Sequence, residues 1–100
     1  MKQKFFNKYA DEVCIRFGID RATLFTKLKR RDVVDARYLL YYLCYARRMR
    51  IRDIQEYMSE NGYDISHTAI IHGKRITKTR VSKDKDYTNL VKDIKECIIV

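Results

Sequence analysis

The chain has no proline in 100 residues and only three glycines, Gly18, Gly62 and Gly73. Proline removes a backbone donor and fixes φ, and glycine supplies left-handed turns, so a chain poor in both has few places to interrupt a helix. Long helices joined by a small number of turns are what this leaves open. A chain of this length buries one core and not two, so residues 1–100 are read as a single domain. Apolar residues make up 46%, and the 35% that are charged come without the aromatic poverty of a disordered chain, so the chain is expected to fold. The fold class is expected to be all-α, a compact bundle of about six helices.

Apolar spacing places those helices. Phe5, Phe6, Tyr9, Ala10, Val13, Cys14 and Phe17 recur at intervals of three and four, forming one stripe that Gly18 can end. Asp20 is positioned to cap a short second helix whose apolar positions are Ala22, Leu24, Phe25 and Leu28. Asp32 or Asp35 can cap a third. Tyr38 to Ala46 is an unbroken run of nine apolar or aromatic residues, which periodicity cannot assign to helix or strand. Its continuation through Arg47 and Arg48 into Met49, and the lack of a second β-rich run to pair with it, favour a central helix. That helix is expected to be contacted from several sides, with its tyrosine hydroxyls at the rim of the core.

Ile51, Ile54, Tyr57 and Met58 mark a fourth helix of about two turns, closed by Gly62. Ser66 is placed to cap a fifth, with Ala69 or Ile70, Gly73, and Ile76 or Thr77 inward. His67 lies in its first turn, and Thr68, His72 and Arg75 lie on the other face. Tyr87, Leu90, Val91 and Ile94 form one face of a sixth. A short helix, a turn and a capped second helix with a polar, basic outer face is the outline of a helix-turn-helix.

Charge adds a direction to that outline. The net +9 divides into +2 for residues 1–26, +7 for 27–52, −4 for 53–65, +5 for 66–85 and −1 for 86–100. Two basic blocks around one acidic segment resemble a footprint for a polyanion, of which nucleic acid is the commonest in a cytosol. Lys27, Lys29, Arg30 and Arg31 crowd into five residues between two helices. Extended backbone there lets one cation reach a narrow minor groove while its neighbours touch phosphates; a plainly solvated charge run is the alternative. Arg37, Arg47, Arg48, Arg50 and Arg52 form a second band, part of which is surface snorkelling.

Other chemistries lack their residues. His67 and His72 have no Cys, Asp or Glu at metal-ligand spacing and no partnered nucleophile, so neither zinc nor catalysis is expected. At a helix start, imidazole and hydroxyl groups suit base edges and phosphates. Ser66 as a plain cap with idle surface histidines stays open beside that reading. There is no phosphate-binding glycine loop, no dinucleotide fingerprint and no carboxylate pair for a cleft, so no cofactor and no nucleotide is expected. Cys14, Cys44 and Cys97 are odd in number and far apart, which reads as reduced core residues. With neither a signal peptide nor a membrane span, a cytoplasmic protein without a membrane partner is expected.

Ser66-His67-Thr68-Ala69-Ile70-Ile71-His72-Gly73 is similar to the signature D-H-T-T-V-L-H-A of the C-terminal DNA-binding domain of the bacterial replication initiator DnaA family. Three further stretches resemble that domain in the same order: Val13 to Lys27, Lys27 to Arg37, and Asp86 to Ile94. The resemblance covers about residues 10–95. It implies sequence-specific binding of double-stranded DNA, in replication initiation or its regulation, through a surface from Ser66 to Arg75 that includes Lys74. It also implies that His67 and Thr68 meet bases in the major groove, that His72 lies near the phosphate backbone, that Lys29 enters the minor groove and that Arg37 touches phosphate.

Departures from the pattern matter too. Ser66 stands for an aspartate, Ala69 for a threonine and Lys29 for an arginine, so the preferred sequence is expected to differ from the family's usual box. The segment from Ser59 to Ile65 is several residues longer than the family's turn. The family's nucleotide-binding engine is not in this chain, so it is expected to mark or occupy sites, as a monomer or with other replication proteins, and not to melt an origin. Transcription regulation or DNA packaging through the same helix-turn-helix is the alternative; a protein-interaction module meeting an acidic partner or RNA is a third.

Overall fold

Three junctions of this chain are closed by one hydrogen-bond pattern, in which a residue at positive φ turns the backbone and the next N–H reaches back five residues. The computed structural model describes residues 2–98 as six helices: α1 (Lys2–Phe17), α2 (Arg21–Leu24), α3 (Arg31–Ala46), α4 (Ile51–Glu60), α5 (His67–Lys83) and α6 (Lys85–Cys97). Met1, Ile99 and Val100, which the single-domain expectation also takes in, lie outside the described residues. No described helix is long and apolar enough to cross a membrane.

At the end of α1, Gly18 (φ +64°) donates to Ile15 and Ile19 to Cys14; at the end of α4, Gly62 (φ +87°) donates to Ser59 and Tyr63 to Met58. Orphan helix carbonyls are satisfied and the chain reverses within two residues. The end of α3 has the same bonds, Arg48 to Tyr45 and Met49 to Cys44, but its left-handed residue is Arg48 at φ +68°. A side chain there crowds the following carbonyl. Arg48→Gly is expected to raise unfolding free energy by about 0.5–1 kcal/mol, the relief of strain less the entropy glycine adds to the unfolded chain. Urea denaturation checks this, and a loss of stability would contradict it.

The core forms around α3, whose Leu39, Leu40, Leu43 and Cys44 are fully buried. Phe6, Ala10 and Val13 of α1, Ile54 and Met58 of α4, Ile70 of α5 and Ile94 of α6 close on it. Each large apolar side chain so buried contributes roughly 1.5–3 kcal/mol before entropy is counted. α5 crosses α3 at Gly73, where an added Cβ would lie 2.5 Å from the Tyr38 ring. The lack of a side chain at that point sets how closely the two helices approach. Arg80 of α5 pairs with Asp35 of α3 at 2.8 Å, a second tie between them.

Several expectations are corrected. α2 stops at Leu24, and Leu28, expected inward, is 44% exposed in the loop beyond it. Neither Asp32 nor Asp35 caps α3: the helix begins at Arg31 behind Arg30, which has extended backbone and no side-chain cap. Asp32 accepts instead from Arg30 Nε and the Val33 N–H within the first turn, where a carboxylate complements the helix dipole. α4 runs ten residues, nearer three turns than two. The Tyr41 hydroxyl is not at the rim but buried, with no hydrogen-bond partner among the described residues, and burial pushes its pKa up. Cys14 and Cys44 are buried as free thiols, whereas Cys97 lies exposed on the last turn of α6.

The start of α4 carries a pH-dependent tie. The Asp53 carboxylate accepts from the Arg50 N–H at 3.1 Å and pairs with Lys2 Nζ at 3.2 Å and Arg50 Nε at 3.3 Å. The Arg50 side chain above all, then the Arg50 N–H and Lys2, hold its pKa down to about 2. A depressed folded-state pKa gives stability that is complete above the ordinary carboxylate value near 4 and is lost as pH falls through about 2. Asp53→Asn is expected to cost roughly 1 kcal/mol at pH 6, discounted for the exposure of its cationic partners. The gap to the parent chain should close between pH 4 and 2 in urea titrations, and a gap that persists at pH 2 would contradict this origin.

Candidate nucleic-acid interface

Residues 25–30 form a loop between α2 and α3 that carries most of the dense cationic run. Asp20 opens α2 by accepting from the Thr23 N–H at 2.7 Å, and Thr26 Oγ1 donates to the Thr23 carbonyl at 2.8 Å. The loop is then held from below by Arg37, whose two terminal nitrogens donate to the Thr26 and Leu28 carbonyls while the guanidinium lies 4.7 Å from the centre of the Tyr63 ring. Arg37 is 4% exposed. Two of its five N–H donors are engaged by loop carbonyls, which holds the loop in place beneath the cations around it. No carboxylate pairs with it among the described residues, so its charge remains in the local field.

The second component is the start of α5. Gln55 of α4 donates to the Ile65 carbonyl at 2.8 Å, and Ser59 Oγ donates to Asp64 at 2.9 Å, which fixes the turn leading into the helix. Ser66 then caps α5 by accepting from the Ala69 N–H at 3.2 Å. The N–H groups of His67 and Thr68 have no helical acceptor, and the helix dipole adds about half a positive charge at this end. Ser66, His67, Thr68, His72 and Arg75 are all exposed, with Ala69 partly covered. His72 stands with its ring edge-on to Tyr38, centroids 5.9 Å apart.

These two components meet. Lys27, Lys29 and Arg37 on one side, and Ser66 and Ala69 on the other, line a single cleft of about 500 Å³ floored by tyrosines. No protein-family model matches the chain, and no curated protein matches it. The geometry is therefore the observation on which a functional reading rests. Lys27, Lys29 and Arg31 are exposed and free of ion pairs among the described residues, whereas Arg30 is paired with Asp32 at 2.7 Å and so partly neutralised.

Of the expected site residues, Lys27, Lys29, Arg37, Ser66 and Ala69 line the cleft; Arg30, Arg31, His67, Thr68, His72 and Arg75 do not, and Arg52 and Lys74 have other surroundings. Arg52 lines a separate hollow with Gln55, Glu56 and Ser59, sharing only Asp64 and Ile65 with the cleft. Lys74 is turned toward the far end of α3, its ammonium 3.6 Å from the Tyr45 ring centre. Six cleft residues were not anticipated, three of them tyrosines. Tyr38, Tyr41 and Tyr63 all line it, yet in the sequence Tyr38 and Tyr41 are indistinguishable from the other members of an apolar run. Tyr63 sits in a polar turn next to Gly62, and an aromatic at that position is the one signal that could have drawn notice.

Proposed function

We propose that this chain binds double-stranded DNA as a helix-turn-helix module, with α5 in the major groove and the 25–30 loop against the adjacent phosphates and minor groove. The single observation that carries the reading is the shared cleft, with lysines free of ion pairs among the described residues on one wall and a capped helix start on the other. Anions gather at such helix ends, and polar side chains in the first turns of a recognition helix are the ones within reach of base edges. The resemblance of Ser66 to Gly73 to the DnaA signature supports the same assignment. On this reading the chain marks or occupies sites in replication or its control, inside the cell and without catalysis.

His67 and Thr68 are the proposed base readers, Lys29 the minor-groove cation, and Lys27, Arg31, His72 and Arg75 the phosphate contacts. Selection from a random duplex library is expected to enrich one short motif. On that motif, His67→Ala or Thr68→Ala should weaken binding by roughly 1–3 kcal/mol and leave random duplex unaffected. Lys29→Ala should reduce both affinity and the dependence of log K on log salt, the latter by about one. Equal losses on selected and random duplex would remove the base-reading role.

A further inference from the structure

Beyond the cleft, four cations from α1, α6 and the turn after α3 gather at the other end of α3. Arg47 lies over Phe5, its guanidinium carbon 3.6 Å from the ring centre, and donates to the Tyr9 hydroxyl at 3.3 Å. Lys8 approaches the same ring at 5.9 Å. Arg47, Arg48 and Lys95 line one shallow hollow of about 370 Å³ together with Tyr9. None of the four is in an ion pair among the described residues. Asp53, the carboxylate nearest in sequence to Arg47 and Arg48, is committed to Arg50 and Lys2.

Cations near a helix C-terminus are favourable in themselves, since they complement its dipole. That accounts for a lysine or arginine anywhere in the last turn; it does not account for one held in the left-handed backbone region. The same turn at Gly18 and Gly62 uses glycine, whereas here Arg48 stands at φ +68°. A strained residue that a simpler one would relieve points to a use for its side chain. We propose that this second cationic surface takes the phosphodiester backbone of a second duplex, so that one molecule bridges two DNA segments.

The two clusters are far enough apart for a contact at one to leave the charge of the other free. The loop before α3 and the turn after it are divided by the sixteen residues of the helix, roughly 24 Å at 1.5 Å per residue. That exceeds two Debye lengths at physiological salt, so a backbone neutralising one cluster leaves the other's field almost unchanged. The inference rests on the DNA reading of the cleft, and its test separates the two.

The test uses the full chain, a short duplex on beads and a second, fluorescent duplex in solution. Arg48→Gly combined with Lys95→Gln removes two charges without disturbing the Arg47 stack, and the glycine suits the backbone it enters. Capture of the second duplex should fall about tenfold and its log–log salt slope by about two, while affinity for one isolated duplex stays within about twofold. Sedimentation of the parent complex should give one protein to two duplexes. Unchanged capture by the variant, single-duplex affinity falling in step, or two proteins per pair of duplexes would overturn the proposal. A parent chain that binds one duplex and captures no second overturns bridging alone; a parent that binds neither overturns the DNA reading beneath it as well.

Discussion

Arg37→Ala is expected to lower unfolding free energy by about 3 kcal/mol, which for a domain of this size is a fall in Tm of roughly 15 °C. The residue is almost wholly buried, bonds two carbonyls of the 25–30 loop and stacks on Tyr63, so truncation removes charge-assisted bonds and packing together. Arg37→Lys should recover less than half of the loss, because an ammonium lacks the planar fork that spans two carbonyls and the flat face that meets a ring. The amides of Phe25, Thr26 and Val34, which are hydrogen-bonded at the two ends of the loop, should lose exchange protection in the alanine variant while α1 and α6 keep theirs under conditions where the fold persists. Calorimetry and exchange check the two parts. A Tm within about 3 °C of the parent would show that the loop is held by something else.

The second large effect belongs to the crossing of α3 and α5. Gly73→Val is expected to cost roughly 3 kcal/mol, because the new Cβ would meet the Tyr38 ring at 2.5 Å and a branched side chain has no rotamer that avoids it. In open solvent the same change would help a helix by removing glycine's entropy, so a destabilisation isolates the packing contact. Tyr38→Ala should recover part of the loss when combined with Gly73→Val, and the shortfall from additivity measures the clash. Equilibrium denaturation of the four proteins in the cycle checks it. Strict additivity would mean that the valine acts elsewhere. Because Tyr38 also meets His72 edge-on, a displaced ring is expected to disturb the outer face of α5.

Much of the fold was legible because apolar spacing and turn chemistry agree. The α1 stripe, the Gly18 and Gly62 turns, the Asp20 and Ser66 caps and the α6 face all lie where local residue types require them. Illegible features depend on partners distant in sequence. Leu28 matches a helical period, but α2 ends earlier and the carbonyls at 26 and 28 turn to Arg37. Asp35 has the side chain of a cap, yet its partner is Arg80, forty-five residues on.

The candidate site divides in the same way. Exposure of Ser66, His67, Thr68, His72 and Arg75 follows from the helical period once Ile70, Gly73 and Thr77 are inward. Arg37 could not be separated from the exposed arginines by composition, since only the folded chain brings loop carbonyls to its fork. The tyrosine floor of the cleft was hidden for a similar reason: an aromatic in an apolar run has one appearance whether it lines the core or a groove.

Amide chemical shifts measured while a short duplex is added test the central assignment most directly. Residues 27–31 and 66–75 should shift together, at one common saturation, while the outer face of α4 stays still. Shifts confined to α4, or those two segments saturating at different duplex concentrations, would overturn the assignment.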